Sequence, residues 1–194
     1  KAALGFLRRT LRPIDQAAVI TFNEAPQVAV GFTNDMAALE EGFTGLVAED
    51  YTSLYDSIAF ALHYLTGVKG QRAILLLSDG EDRSSRFGYE QILEYARRSG
   101  ITLYAIGLDL PEGKRGEHAR KLERLASETG GRSFFLTGTG ELDAVYQEIE
   151  RDLRAQYRIT YQSSNTSTED TFRAVDVQVA KSGLDARTIS GYYP

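Results

Sequence analysis

The chain has 194 residues, enough for one ordinary domain and a modest extension, and 42% of them are hydrophobic, enough for a packed core. Its 22 basic and 27 acidic residues give a net charge of −5 with no basic cluster, which argues against nucleic acid or a membrane surface as partner. With no cysteine, disulfides, thiolate zinc sites and thiol nucleophiles are excluded together, and no apolar run approaches the roughly 20 residues of a bilayer-crossing helix.

The opening KAALGFLRRTL repeats Leu4, Leu7 and Leu11 on one helical face, as the middle of an amphipathic helix would, so the natural chain is expected to begin before Lys1. Pro13 and Asp15 end that pattern. Residues 17–22 (AAVITF) and 27–33 (QVAVGFT) are β-type runs joined by a link too short for a crossover helix, which predicts an antiparallel hairpin whose second strand is an edge. Thr33 or Asn34 can cap a short helix to about Phe43. Thr52 or Ser53 can cap a longer one with Leu54, Ile58, Ala61, Leu62 and Leu65 on one face.

Residues 72–77 (RAILLL) form an unbroken apolar run, expected of a strand covered on both faces in a parallel sheet, and the run stops at Ser78-Asp79-Gly80. Gly100 suits the left-handed end of a helix over 88–99, and 101–108 (ITLYAIGL) reads as another buried strand. A helix over 117–129, a strand over 132–136 and a helix over 141–154 repeat the unit. Alternating strands and helices predict a doubly wound α/β fold, mostly parallel, with helices on both faces of the sheet. From residue 156 the helices stop: 156–162 (QYRITYQ), 172–180 (FRAVDVQVA) and 186–193 (ARTISGYY) predict an antiparallel β extension, with a polar loop at 163–170. The expected division is an α/β domain over 1–155 and an extension over 156–194.

Ligands of open α/β sheets bind beyond the carboxyl ends of the strands, which selects Asp79 and Thr52. Asp79 stands where a carboxylate is costly unless paired, hydrogen-bonded or bound to metal, although an Asp-Gly turn is an equally ordinary reason for it. Thr52 alone reads as a helix N-cap. Together they offer hard oxygen donors suited to Mg²⁺, which takes about six at roughly 2.0–2.1 Å. His63 and His118 fall on different helices without companion ligands and read as surface or packing residues. Glu81 and Asp82 flank the candidate site in what is ordinarily a solvated loop, and the eleven tyrosines suit core and sheet pairing. No Gly-x-Gly-x-x-Gly or Walker-type loop follows a strand, so no motif supports nucleotide binding.

Thr52-Ser53-Leu54-Tyr55-Asp56 resembles the threonine-plus-"LYDA" segment of von Willebrand factor A domains, and Leu76-Leu77-Ser78-Asp79-Gly80 resembles their "LLSDG" strand end. Ala18 to Asn23 is similar to their second strand, and Tyr104-Ala105-Ile106-Gly107 to the strand after the site. The part from Gln156-Tyr157-Arg158 to Gly191-Tyr192-Tyr193 is similar to the β extension of a bacterial subfamily. The resemblance implies a metal-ion-dependent adhesion site built from Asp-x-Ser-x-Ser, a Thr and an Asp, with Thr52 and Asp79 matching the last two positions. The Asp-x-Ser-x-Ser segment would precede Lys1, with a central strand before it, so a gap in the sheet is expected. Asp50-Tyr51 replaces glycines common in the family, which implies a narrower approach to the site.

The resemblance further implies a non-enzymatic binding module. Its Mg²⁺, or Mn²⁺ or Ca²⁺ in its place, would take an acidic side chain of a partner protein, in the cell envelope or outside the cell. Two alternatives are compatible with the sequence. One is a Mg²⁺-dependent hydrolase or phosphoryl-transfer domain, which would need an Asp after the first strand and a lysine near a later strand end. Lys69 precedes its strand and Lys114 follows a loop. The other is a structural domain whose metal site is degenerate.

Overall fold

The computed structural model describes residues 2–44, 52–110, 113, 115–184 and 186–194. Helix α1 (Ala2–Thr10) leads into strands β1 (Ala17–Phe22) and β2 (Pro26–Thr33), which pair antiparallel with bulges around Val19. Helix α2 (Met36–Glu41) follows. Its cap is Asp35, whose carboxylate accepts the Ala37 amide at 2.8 Å, rather than Thr33 or Asn34. Those two are otherwise engaged, Thr33 accepting the Asp35 amide and Asn34 donating to the Pro13 carbonyl.

Helix α3 (Leu54–Tyr64) precedes strand β3 (Ala73–Ser78), helix α4 (Tyr89–Ser99) and strand β4 (Thr102–Leu108). Gly100 ends α4 at φ 62°, the left-handed conformation expected of it. Helix α5 (Arg115–Glu128), strand β5 (Ser133–Leu136) and helix α6 (Leu142–Arg154) complete the α/β part. Strands β3, β4 and β5 form a parallel sheet in that order, the fold class that the alternating pattern predicts.

The core lies on both faces of β4, because side chains alternate across a strand. Leu103 and Ala105 pack with Leu54, Ile58 and Leu62 of α3, Ile92 and Leu93 of α4, and Leu122 and Leu125 of α5. Tyr104 and Ile106 pack on the other face with Phe6 of α1 and Val145, Tyr146 and Ile149 of α6. At about 1.5–3 kcal/mol for each fully buried large side chain, these two clusters hold the helices to the sheet.

The sheet is divided: β1 pairs with β2 alone, and no ladder among the described residues joins that hairpin to β3–β4–β5. This is the gap expected from the family pattern. It also corrects the reading of residues 72–77 as a strand buried on both faces. Among the described residues β3 pairs only with β4, its Ala73 is exposed and its Leu77 is 42% exposed, so β4 is the most deeply buried strand.

Beyond α6, β6 (Arg173–Ala174) and β7 (Gly191–Tyr192) pair antiparallel. The ladder is two residues long, far shorter than the β-type runs that supply it, and residues 156–162 join no ladder among the described residues. Backbone and side chains both dock the extension. The Ser190 hydroxyl donates to the Glu128 carboxylate, which α4 holds through Arg97 at 2.6 Å, and the Ser190 amide donates to the Glu128 carbonyl at 3.2 Å. Arg98 pairs with Asp170 at 2.9 Å and stacks 3.7 Å from the Tyr193 ring centroid. The Arg97 hydrogen bond, with help from Ser190, holds the Glu128 carboxyl below its ordinary pKa despite partial burial.

Candidate functional site

Thr52 and Asp79 lie at the start of α3 and just past the end of β3, both half-buried. Ser53 is the residue preceding α3, yet its hydroxyl does not cap the helix. It donates instead to the Asn23 carbonyl at 3.0 Å, as the Ser53 amide does at 2.8 Å, which fastens the end of β1 to the start of α3. The first amides of α3 are satisfied from the loop after β3. Asp82 accepts from the Tyr55 amide at 3.3 Å, and the Ser85 hydroxyl accepts from the Asp56 amide at 3.1 Å while donating to Asp82. A carboxylate at a helix start is also favoured by the helix dipole.

The same loop is held in return. The Thr52 carbonyl accepts from the Arg83 amide at 2.8 Å and the Ser84 amide at 3.3 Å. One Asp56 oxygen accepts from the Arg86 amide at 2.9 Å and the Phe87 amide at 3.0 Å. Thr52 and Asp79 are therefore linked through one loop whose backbone is fixed at both ends.

The turn that carries Asp79 is locally determined. Its Oδ1 accepts from the Glu81 amide at 3.0 Å, and the Ser78 hydroxyl accepts from the Gly80 amide at 3.1 Å. Gly80 has φ 79°, and a Cβ there would sit 2.8 Å from the Cβ of His118 on α5, so glycine is required twice over. His118 is a packing residue, 7% exposed, and its Nδ1 has no hydrogen-bond partner among the described residues; His63 is exposed.

Glu81 pairs with Arg83 and Asp82 caps α3, so both flanking carboxylates have structural employment. Burial raises the pKa of Tyr55 and pushes that of its ring neighbour Tyr89 up to about 12. Asp50, Tyr51 and Lys114 lie outside the described residues.

A threonine hydroxyl and the second oxygen of Asp79 are hard donors, chemically suited to Mg²⁺ but only part of its shell of about six. Among the described residues, no group of three or more His, Cys, Asp or Glu converges as metal ligands. Sequence spacing did not reveal the roles of Asp56, Asp82, Ser85 and His118, because their partners lie on other elements. The only available signal was the "LYDA"-like segment that contains Asp56.

The family model for the von Willebrand factor type A domain matches residues 3–148. No curated protein matches the chain. Among solved structures, an aerotolerance-related membrane protein from Bacteroides fragilis is 17% identical with TM-score 0.59, and the match covers 80% of this chain and 88% of that one. The vWF domain of the type V pili tip protein Mfa5 from Porphyromonas gingivalis is 13% identical with TM-score 0.65, covering 82% of this chain and 89% of that one. Proximal thread matrix protein 1 from the mussel byssus, with a zinc-occupied MIDAS motif, is 18% identical with TM-score 0.61, covering 78% of this chain and 39% of that one. These likenesses concern the fold.

Proposed function

The chain belongs to the von Willebrand factor type A domain family, and from that premise we propose that it is a protein-binding module of the adhesion or scaffold type rather than an enzyme. Its site is a metal-ion-dependent adhesion site in which Thr52 and Asp79 supply two of the protein ligands to Mg²⁺. The observation that carries this reading is the shared loop: residues 80–87 continue from Asp79 and hold the Thr52 carbonyl through two amides.

The remaining ligands belong to an Asp-x-Ser-x-Ser segment at the end of a strand occupying the gap in the sheet. The divided sheet and the exposed Leu77 of β3 support a strand there. Bound metal supplies an electrophilic centre for an acidic side chain of the partner protein. The chain's own residues contribute a neutral hydroxyl and one carboxylate, a donor set low in charge. Asp79 is oriented by the Glu81 amide and Thr52 by the pinned start of α3.

Residues 1–155 form the binding domain in this reading, and 156–194 an extension docked on α4 and α5. A place in the cell envelope is supported by similarity to a membrane protein and a pilus-tip protein. No helix among the described residues is long and apolar enough to cross a membrane. The test is capture of binding partners by the natural-length protein with and without EDTA, and by a folded Asp79→Ala variant. Capture lost in both arms is expected. Capture unchanged in either arm overturns the metal-dependent reading.

A further inference from the structure

Residues 82–87 combine a fixed backbone with two uncommitted outer side chains. Amides of Arg83, Ser84, Arg86 and Phe87 all donate across to the start of α3, and Asp82 and Ser85 accept from it. Yet Phe87 is 48% exposed, and Arg86 is exposed with no ion pair or side-chain hydrogen bond among the described residues. A phenyl ring in water gains by being covered. The guanidinium of the preceding residue is the side chain best fitted to a carboxylate. Because the loop is already ordered, covering it costs little of the loop-ordering entropy that opposes binding.

We propose that Arg86 and Phe87 form a second contact surface for the protein partner, which presents an acidic, extended segment. One carboxylate of that segment reaches the Thr52–Asp79 end of the sheet, a neighbouring large apolar side chain covers Phe87, and a second acidic group pairs with Arg86. The proposal rests on the metal-dependent binding described above. It adds the chemistry of the residues around the partner's carboxylate. Aromatic residues and arginine are enriched in the well-packed centres of protein interfaces, and charge sets which acidic segment is preferred.

The test is a phage-displayed library of random peptides around a fixed aspartate, panned in Mg²⁺ on the natural-length protein and on Phe87→Ala, Phe87→Leu, Arg86→Ala and Asp79→Ala variants. Both substituted surface side chains are exposed, and amide exchange at positions 86 and 87 confirms that the loop stays closed. The wild type is expected to enrich peptides with a large apolar residue close to the aspartate. Phe87→Ala should weaken them about ten-fold while Phe87→Leu retains them, and Arg86→Ala should weaken those with a second acid several-fold. Selected peptides that bind both the Phe87→Ala and Arg86→Ala variants as tightly as wild type, while failing on Asp79→Ala, overturn this surface and leave the metal site standing. Peptides that need Phe87 but bind Asp79→Ala unchanged overturn the metal site and leave this surface standing. Panning that enriches nothing overturns the surface.

Discussion

Replacing Asp56 tests the reciprocal clamp between α3 and the loop after β3. Its Oδ1 accepts the Arg86 and Phe87 amides at 2.9 and 3.0 Å, both in exposed surroundings where water competes. Each such bond therefore contributes a net of about 0.5–1.5 kcal/mol, and the carboxylate in the first turn of α3 adds about 0.3–1 kcal/mol through the helix dipole. Asp56→Ala should destabilise the fold by about 2 kcal/mol, which for a chain of this size lowers the melting temperature by about 4–8 °C. Asp56→Asn keeps an acceptor in the same place and should recover most of the loss, leaving only the charge contribution. Hydrogen exchange at the Arg86 and Phe87 amides separates the clamp from general destabilisation: both should lose protection in the alanine variant and keep it in the asparagine variant. Unchanged protection at both amides in Asp56→Ala would refute the clamp.

Gly80→Ala should cost about 2–5 kcal/mol in thermal or denaturant unfolding, combining about 1–2 kcal/mol for a left-handed alanine with about 1–3 for overpacking. The contact involves the Cβ of His118, so His118→Ala should not rescue it. Glu128→Gln should loosen the extension, seen as faster proteolysis beyond residue 155. The folded pKa of Glu128 is depressed, chiefly by Arg97, so its stabilisation is fully present above the unfolded carboxyl value of about 4.3 and is lost as pH falls through the lower folded value. Wild type and Glu128→Gln should thus differ in stability at neutral pH and converge in strong acid. Arg98→Ala, which removes the Asp170 pair and the stacking on Tyr193, should raise cleavage in 163–170 without changing unfolding of the α/β part.

The elements that local patterning describes well are those whose cover comes from their own neighbours in sequence. Strand β4, with five consecutive buried residues, and α3, with Leu54, Ile58 and Leu62 on one face, were legible because apolar periodicity and burial coincide. Strand β3 was not fully legible. AILLLS records how much apolar surface the strand can bury, but its exposure depends on which strand lies beside it, and no local pattern encodes that.

Residues 156–162 show the same limit from the other side. Alternating Tyr157, Ile159 and Tyr161 satisfy a strand pattern, yet they are 90%, 73% and 59% exposed and join no ladder among the described residues. At the site, the positions of Thr52 and Asp79 were readable from motifs, whereas what holds them was not. The hydrogen bonds from the Tyr55 amide to Asp82 and from the Phe87 amide to Asp56 span 27 and 31 residues, beyond any cap or turn rule. Ser53 illustrates the cost of local rules: it looks like a cap, but its hydroxyl is taken by the Asn23 carbonyl.

The proposal that Thr52 and Asp79 hold a functional cation is tested most directly by calorimetric titration of Mg²⁺ into the natural-length protein and its Thr52→Ala and Asp79→Ala variants, each first shown to be folded. The expected result is one binding event in the wild type, weakened in Thr52→Ala and lost in Asp79→Ala. Equal Mg²⁺ binding by all three proteins, or none by the folded wild type, would contradict it.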